Sequence, residues 1–261
     1  MSLNQDNESF MQDDKDGDKV DAPIKGKEEV KLTATLYTTA YFAQLKTVKD
    51  KHRLKISDQV ELFWRSSFIY FIQIAFCAVI AIYANLKAVI HKNTEVHVTL
   101  FFTVLLLHVT CLPNARDGLA MMKYALLHAD EFESPLLAFT LGFYALSSMI
   151  TAELVNVASS QTKKNVGDAI SGFIGFKLLV DLPNIYMNSH EEFPLKSAVG
   201  KLSFKRGRYA ERETVIDMNW IVNPLYTLLY TFYKSVFFYF FPFAASFIPF
   251  LRSLEGNVKA V

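Results

Sequence analysis

The sequence predicts an all-α polytopic membrane helix bundle of about five transmembrane helices plus one amphipathic helix. Three observations carry that prediction. Hydrophobic residues make up 51% of the chain and mean hydropathy is positive. Apolar runs of about twenty residues recur, the length a helix needs to cross a hydrocarbon core of roughly 30 Å. The charged residues are banked between those runs, with a few polar groups left inside. A soluble domain of 261 residues buries a core without uncharged runs of that length.

The bulk numbers exclude several classes. A net charge of +1 gives no footprint for nucleic acid. The two cysteines, Cys77 and Cys111, both fall in apolar runs, so the expectation is buried thiols and no disulfide framework. The N-terminus lacks the basic-then-apolar pattern of a secretory signal.

Residues 1–30 hold nine acids against four lysines and one aromatic, a composition that buries too little apolar surface to offset chain entropy. They read as a disordered acidic tail. Within it QDDKDGDKVDAP resembles a calcium loop, but with Gly17 at the sixth position the first is Gln12 and the twelfth Pro23, so the register fails. Residues 31–65 reverse the balance, seven Lys/Arg to three acids, and read as a basic cytoplasmic lead-in containing the weakly amphipathic TLYTTAYFAQL. Asp58 with Glu61 marks a helix start, and Trp64 stands where an interfacial aromatic anchors a span.

The transmembrane region covers 66–251. Ser66–Leu86, uncharged for 21 residues, is the first span, and Val98–Asn114, a run of 17 containing His108, is the second. His108 reads as a packed or hydrogen-bonded histidine. His91, Glu95 and His97 match no metal spacing. Arg116–Glu133, with Leu119, Met122 and Leu126 at helical spacing, reads as an amphipathic helix on the surface or against the bundle. Pro135 opens a third span over 134–158, and 169–187 is the fourth, with Asp168 capping its start. A basic loop follows: Lys201, Lys205, Arg206, Arg208 and Arg212 are candidate contacts to anionic lipid. The last region, 220–251, has 32 residues, thirteen aromatics, three prolines and one charge, Lys234. It reads as one tilted or Pro242-kinked span, with a re-entrant hairpin as the alternative. Residues 252–261 form a short tail. The segments that alternate on one side hold 15 Lys/Arg and those on the other hold 6, which orients the N-terminus to the cytoplasm.

Inside the spans sits a polar centre: Glu153, Asn156, Lys177, Asp181 and Asn184. A carboxylate at mid-membrane costs about 2.5–3.5 kcal/mol on insertion scales and demands a partner or water. Glu153 and Asn156 share a helix face; Lys177 and Asp181, four apart, pair along theirs. A short connection makes the third and fourth spans antiparallel neighbours and brings Glu153 toward the early half of the fourth. Asn184, after Pro183, is placed to satisfy backbone freed by the proline. The sequence carries no catalytic motif, metal site or cofactor site.

LHVTCLPNARDGLAMMKYALLHADEF, TAELVN, GDAISGFIGFKLLVDLPNIYMNS and YKSVFFYFFPF together resemble a large family of uncharacterised multi-pass membrane proteins of ciliated protists, over about residues 60–250. The resemblance implies shared polar positions at Lys123, Glu153, Asn156, Asp168, Asp181, Asn184 and Tyr186. The chain departs from that pattern at Lys177, Leu127 and Pro183. The resemblance brings no activity. The expected function is a non-enzymatic component of the lipid bilayer that self-associates or assembles with other membrane subunits. The alternatives are a channel or transporter subunit using Glu153 and Asp181, and an intramembrane enzyme built on the same two carboxylates.

Overall fold

The computed structural model describes residues 29–86, 94–160, 162–189, 195, 203–205, 219–241 and 243. Most of the acidic tail, the C-terminal tail, Pro242 and much of the basic loop fall outside them. The order is β1 (Glu29–Lys31), α1 (Leu36–Ala43), α2 (Lys46–His52), α3 (Ile56–Leu86), α4 (Thr94–Leu127), α5 (Pro135–Ser160), α6 (Val166–Ser189), β2 (Ser203–Lys205) and α7 (Asn219–Phe232). A 3₁₀ turn at Ala129–Glu131 joins α4 to α5, and a π-helical turn, Tyr233–Phe237, continues α7. The structure is helical apart from β1 and β2, which pair antiparallel with Val30 opposite Phe204. That pair takes in the last two residues of the expected disordered tail.

Among the described residues, three helices are long and apolar enough to cross a membrane: Ile56–Ala84, Glu95–Leu127 and Pro135–Ser160. The expected count of about five is not confirmed. α6 has 24 residues, but Lys177, Asp181 and Asn184 dilute its apolarity. α7 is a regular α-helix for only 14 residues before the π turn. The three spans expose apolar side chains in rows, among them Phe68, Phe71, Phe76, Val79 and Ile82 on α3 and Val98, Phe102, Leu106 and Val109 on α4. Such continuous apolar surface has no place in water.

The amphipathic helix expected over Arg116–Glu133, on the surface or against the bundle, does not form as a separate element but packs against the bundle as part of α4. α4 runs on through Pro113 for 34 residues, about 51 Å. The helical spacing was right: Leu119, Met122 and Leu126 are all buried. Their face packs inward, so the segment is the second half of a span. α6, the expected fourth span, likewise continues through Pro183 to Ser189. Asn165 caps α6, accepting the Asp168 N–H at 2.8 Å, while Asp168 lies in the first turn and accepts the Lys164 N–H at 3.3 Å. The start of α3 is shifted similarly: Asp58 accepts the Lys55 N–H at 3.0 Å, and Glu61 pairs with Arg65.

The largest departure is α1. Instead of a surface lead-in, all eight residues are buried. A capping box between Thr35 and Thr38 satisfies its N-terminus, and Gln59 Nε2 donates to Ala43 O at 2.6 Å near its other end. Tyr41 donates to Met121 O at 3.0 Å and stacks edge-on against Phe132. The helix wedges among α3, α5 and α6, and makes the residues before the first span part of the core.

Candidate functional site

The site begins at the α4–α5 seam. Gly118 and Gly142 face each other there. A Cβ on Gly142 would lie 2.9 Å from both Gly118 O and Met122 N, so only glycine lets the backbones approach this closely. Ten residues back along α4 and eleven forward along antiparallel α5, the contact brings His108 to Glu153. His108 Nδ1 lies 3.1 and 3.0 Å from the two carboxylate oxygens, and both side chains are 3% exposed. The ring of Phe237, from the π turn after α7, covers the histidine at 5.2 Å between centroids. His108 Nε2 is buried with no hydrogen-bond partner among the described residues.

The second pair lies on α6. Lys177 Nζ donates to Asp181 Oδ2 at 2.5 Å, one turn along the same helix, as the spacing predicted. These side chains remain 38% and 31% exposed. The expected approach of Glu153 to the early half of the fourth span is corrected: α5 packs chiefly on α4 and α3, and Glu153 bonds across to α4. Asn156 is buried one turn from Glu153.

A third polar feature links three helices. Pro183 has no N–H, so Leu179 O, four residues earlier, has no helical donor. Gln73 Nε2 from α3 supplies one at 2.7 Å, while its Oε1 accepts the Tyr37 hydroxyl from α1 at 2.6 Å. Burial pushes the Tyr37 phenol well above its ordinary pKa, so it stays a donor. Asn184 therefore does not serve the freed carbonyl. Its own Oδ1 is buried without a partner among the described residues, at a small cavity lined also by Thr35, Thr38, Asn114 and Asp117. The cavity has room for about one water molecule. Asp117, nearly fully buried, accepts the Thr33 N–H at 2.7 Å.

Sequence reasoning named both carboxylates and the Lys177 pair but not Gln73, Tyr37 or Asp117. A signal for Gln73 existed: it is the one glutamine in the first apolar run, and a proline inside another helix needs a donor. Of the basic-loop residues, Lys205 lies in β2; Lys201, Arg206, Arg208 and Arg212 lie outside the described residues. Among the described residues no group of three or more His, Cys, Asp or Glu could hold a metal. No family model matches the chain, and no curated protein or solved structure matches it.

Proposed function

We propose that the chain is a multi-pass integral membrane protein, with α3–α7 as five spans and a cytoplasmic N-terminus, that serves as a non-enzymatic assembly component. One observation carries this reading. The polar groups of the interior are largely spent on one another, whereas α7 packs one face on the core, through Leu225, Tyr226, Leu229 and Phe232, and leaves its other face exposed. Along its described length and the turn after it only Val222, Phe237 and Phe241 are buried. Trp220, Leu228, Tyr239, Phe240 and Phe243 project outward. Rigid aromatic rings give large contact area at low entropy cost, which fits a helix that packs against another copy or another membrane subunit. The resemblance to the ciliate membrane family fits the multi-pass reading and adds no activity.

The test is particle size of the detergent-purified chain, whose monomer mass is 29.7 kDa. The expected result is a homogeneous oligomer that Trp220→Ala with Phe240→Ala converts to smaller particles. A wild-type chain that is stably monomeric in detergent and in native membranes defeats the reading.

The channel or transporter reading draws on the His108–Glu153 pair, an ionisable couple buried inside the bundle. In liposomes, a proton flux abolished by Glu153→Gln with particle size unchanged would favour it. Glu153 and Asp181 hold different partners, which weighs against a shared catalytic cavity.

A further inference from the structure

We propose that the corner between α2 and α3 is a binding site for the headgroup of an anionic phospholipid, held by Lys51, Arg53 and Lys55. The proposal rests on the membrane reading above and adds to it a ligand and a place.

Height comes first. Ile56, Val60, Trp64 and Phe68 recur every four residues on α3 and are 66%, 45%, 66% and 61% exposed. They extend the lipid-facing row of the first span down to the opening turn of the helix. With Trp64 as the interfacial ring, the residues just before Ile56 lie about 13 Å farther along the helix axis, on the headgroup side of it.

Charge comes second. The cations on either side of the corner are already engaged: Lys46 donates to Asp130 O, Lys49 pairs with Glu133 and Arg65 with Glu61. Lys51, Arg53 and Lys55 are exposed and have no ion-pair partner among the described residues. Of the nearby acids, Asp58 is turned to the Lys55 N–H and the Ser57 hydroxyl, leaving Asp50 as the one free carboxylate in the turn.

Backbone comes third. Arg53 ends α2 in the left-handed region, φ 52°, with Leu54 N–H donating to Lys49 O at 3.0 Å. That is the position glycine ordinarily fills, because a Cβ is disfavoured there. Here an arginine occupies it, so the corner carries a positive charge where a turn would ordinarily carry none, and a phosphodiester is the charge that complements it.

The experiment uses the full chain in detergent micelles doped with phosphatidylserine or phosphatidylcholine, with bound lipid counted by native mass spectrometry. Wild type should retain phosphatidylserine in preference. Arg53→Gly should weaken that retention about fivefold, the share of one cation near an anionic surface. Its melting temperature should hold or rise, since glycine relaxes the turn. Arg53→Lys should keep most of the binding. Equal retention by wild type and Arg53→Gly overturns the proposal. So does loss in both Arg53→Lys and Arg53→Gly, or a preference that vanishes only when Lys201, Lys205, Arg206, Arg208 and Arg212 are neutralised. Displacement of phosphatidylserine by inorganic phosphate would make the corner a general phosphate site and overturn the lipid assignment. A chain that stays monodisperse without detergent overturns the membrane reading itself, whereas a detergent-dependent chain with no lipid preference overturns the corner alone.

Discussion

The two ionisable pairs inside the bundle solve one problem in opposite ways. His108 and Glu153 come from different helices and meet only after α4 and α5 have docked. Lys177 and Asp181 meet along one helix, before α6 touches anything. A pair between helices fixes which residues face each other, because neither member has another partner in the seam. A pair within a helix lowers the cost of inserting that helix and asks nothing of its neighbours. The first is therefore tied to tertiary structure and the second to α6 alone. Their burial agrees: a few per cent exposed against about a third.

The sharpest way to break the contrast is at the glycines that make the docking possible. Gly142→Leu would drive side-chain carbons into Gly118 O and Met122 N, both backbone atoms that cannot swing aside. The expected loss is about 3 kcal/mol, the upper end for overpacking, with α4 and α5 pushed apart. Fluorescence-detected size exclusion after heating should show a large drop in melting temperature or no folded chain. A melting temperature equal to wild type would mean that the seam is not closed by backbone contact.

The pairs themselves come next. His108→Leu leaves a buried carboxyl without its main partner and should cost about 2 kcal/mol. Lys177→Met should cost far less, about 0.6 kcal/mol, the average for side-chain hydrogen bonds within membranes, because Asp181 is partly exposed and can move toward water. Thermal melts of both variants in one detergent give the comparison. Equal losses would erase the distinction between a pair that sets register and one that neutralises charge.

What the sequence made legible follows the same division. Whatever depends on one helix could be read directly: the apolar runs, the four-residue spacing of Lys177 and Asp181, Pro135 at a helix start. Glu153 was recognisable as a carboxylate in need of company, but its partner was not. His108 lies 45 residues away, and the seam that joins them depends on two glycines with no local signature. α1 was missed for a related reason. Its hydroxyl-rich sequence is only weakly amphipathic, and hydropathy registers what faces lipid, not what other helices enclose. The end of the second span was misplaced because Pro113 and two charges punctuate it, whereas the face beyond them is apolar and packs inward. Asp117, one of those charges, is folded in with the Thr33 N–H as its partner.

A third pair, outside the membrane, sharpens the contrast at its weakest end. Lys49 of α2 donates to Glu133, before α5, at 2.8 Å. That hydrogen bond, with the charges of Lys49 and Lys46 behind it, holds the Glu133 carboxyl below its ordinary pKa. A group whose folded pKa is depressed contributes stability above its unfolded pKa and loses it as pH falls through the folded value. The wild-type melting temperature should therefore fall more steeply than that of Glu133→Gln on acidification below the usual glutamate range. The two curves should converge once Glu133 is protonated in both folded and unfolded chain. The effect should be the smallest of the set, because water screens both partners, and raised salt should shrink it further. Identical acid profiles for the two proteins would show that this contact leaves the end of the bundle unchanged, and that only the pairs shielded from water matter to it.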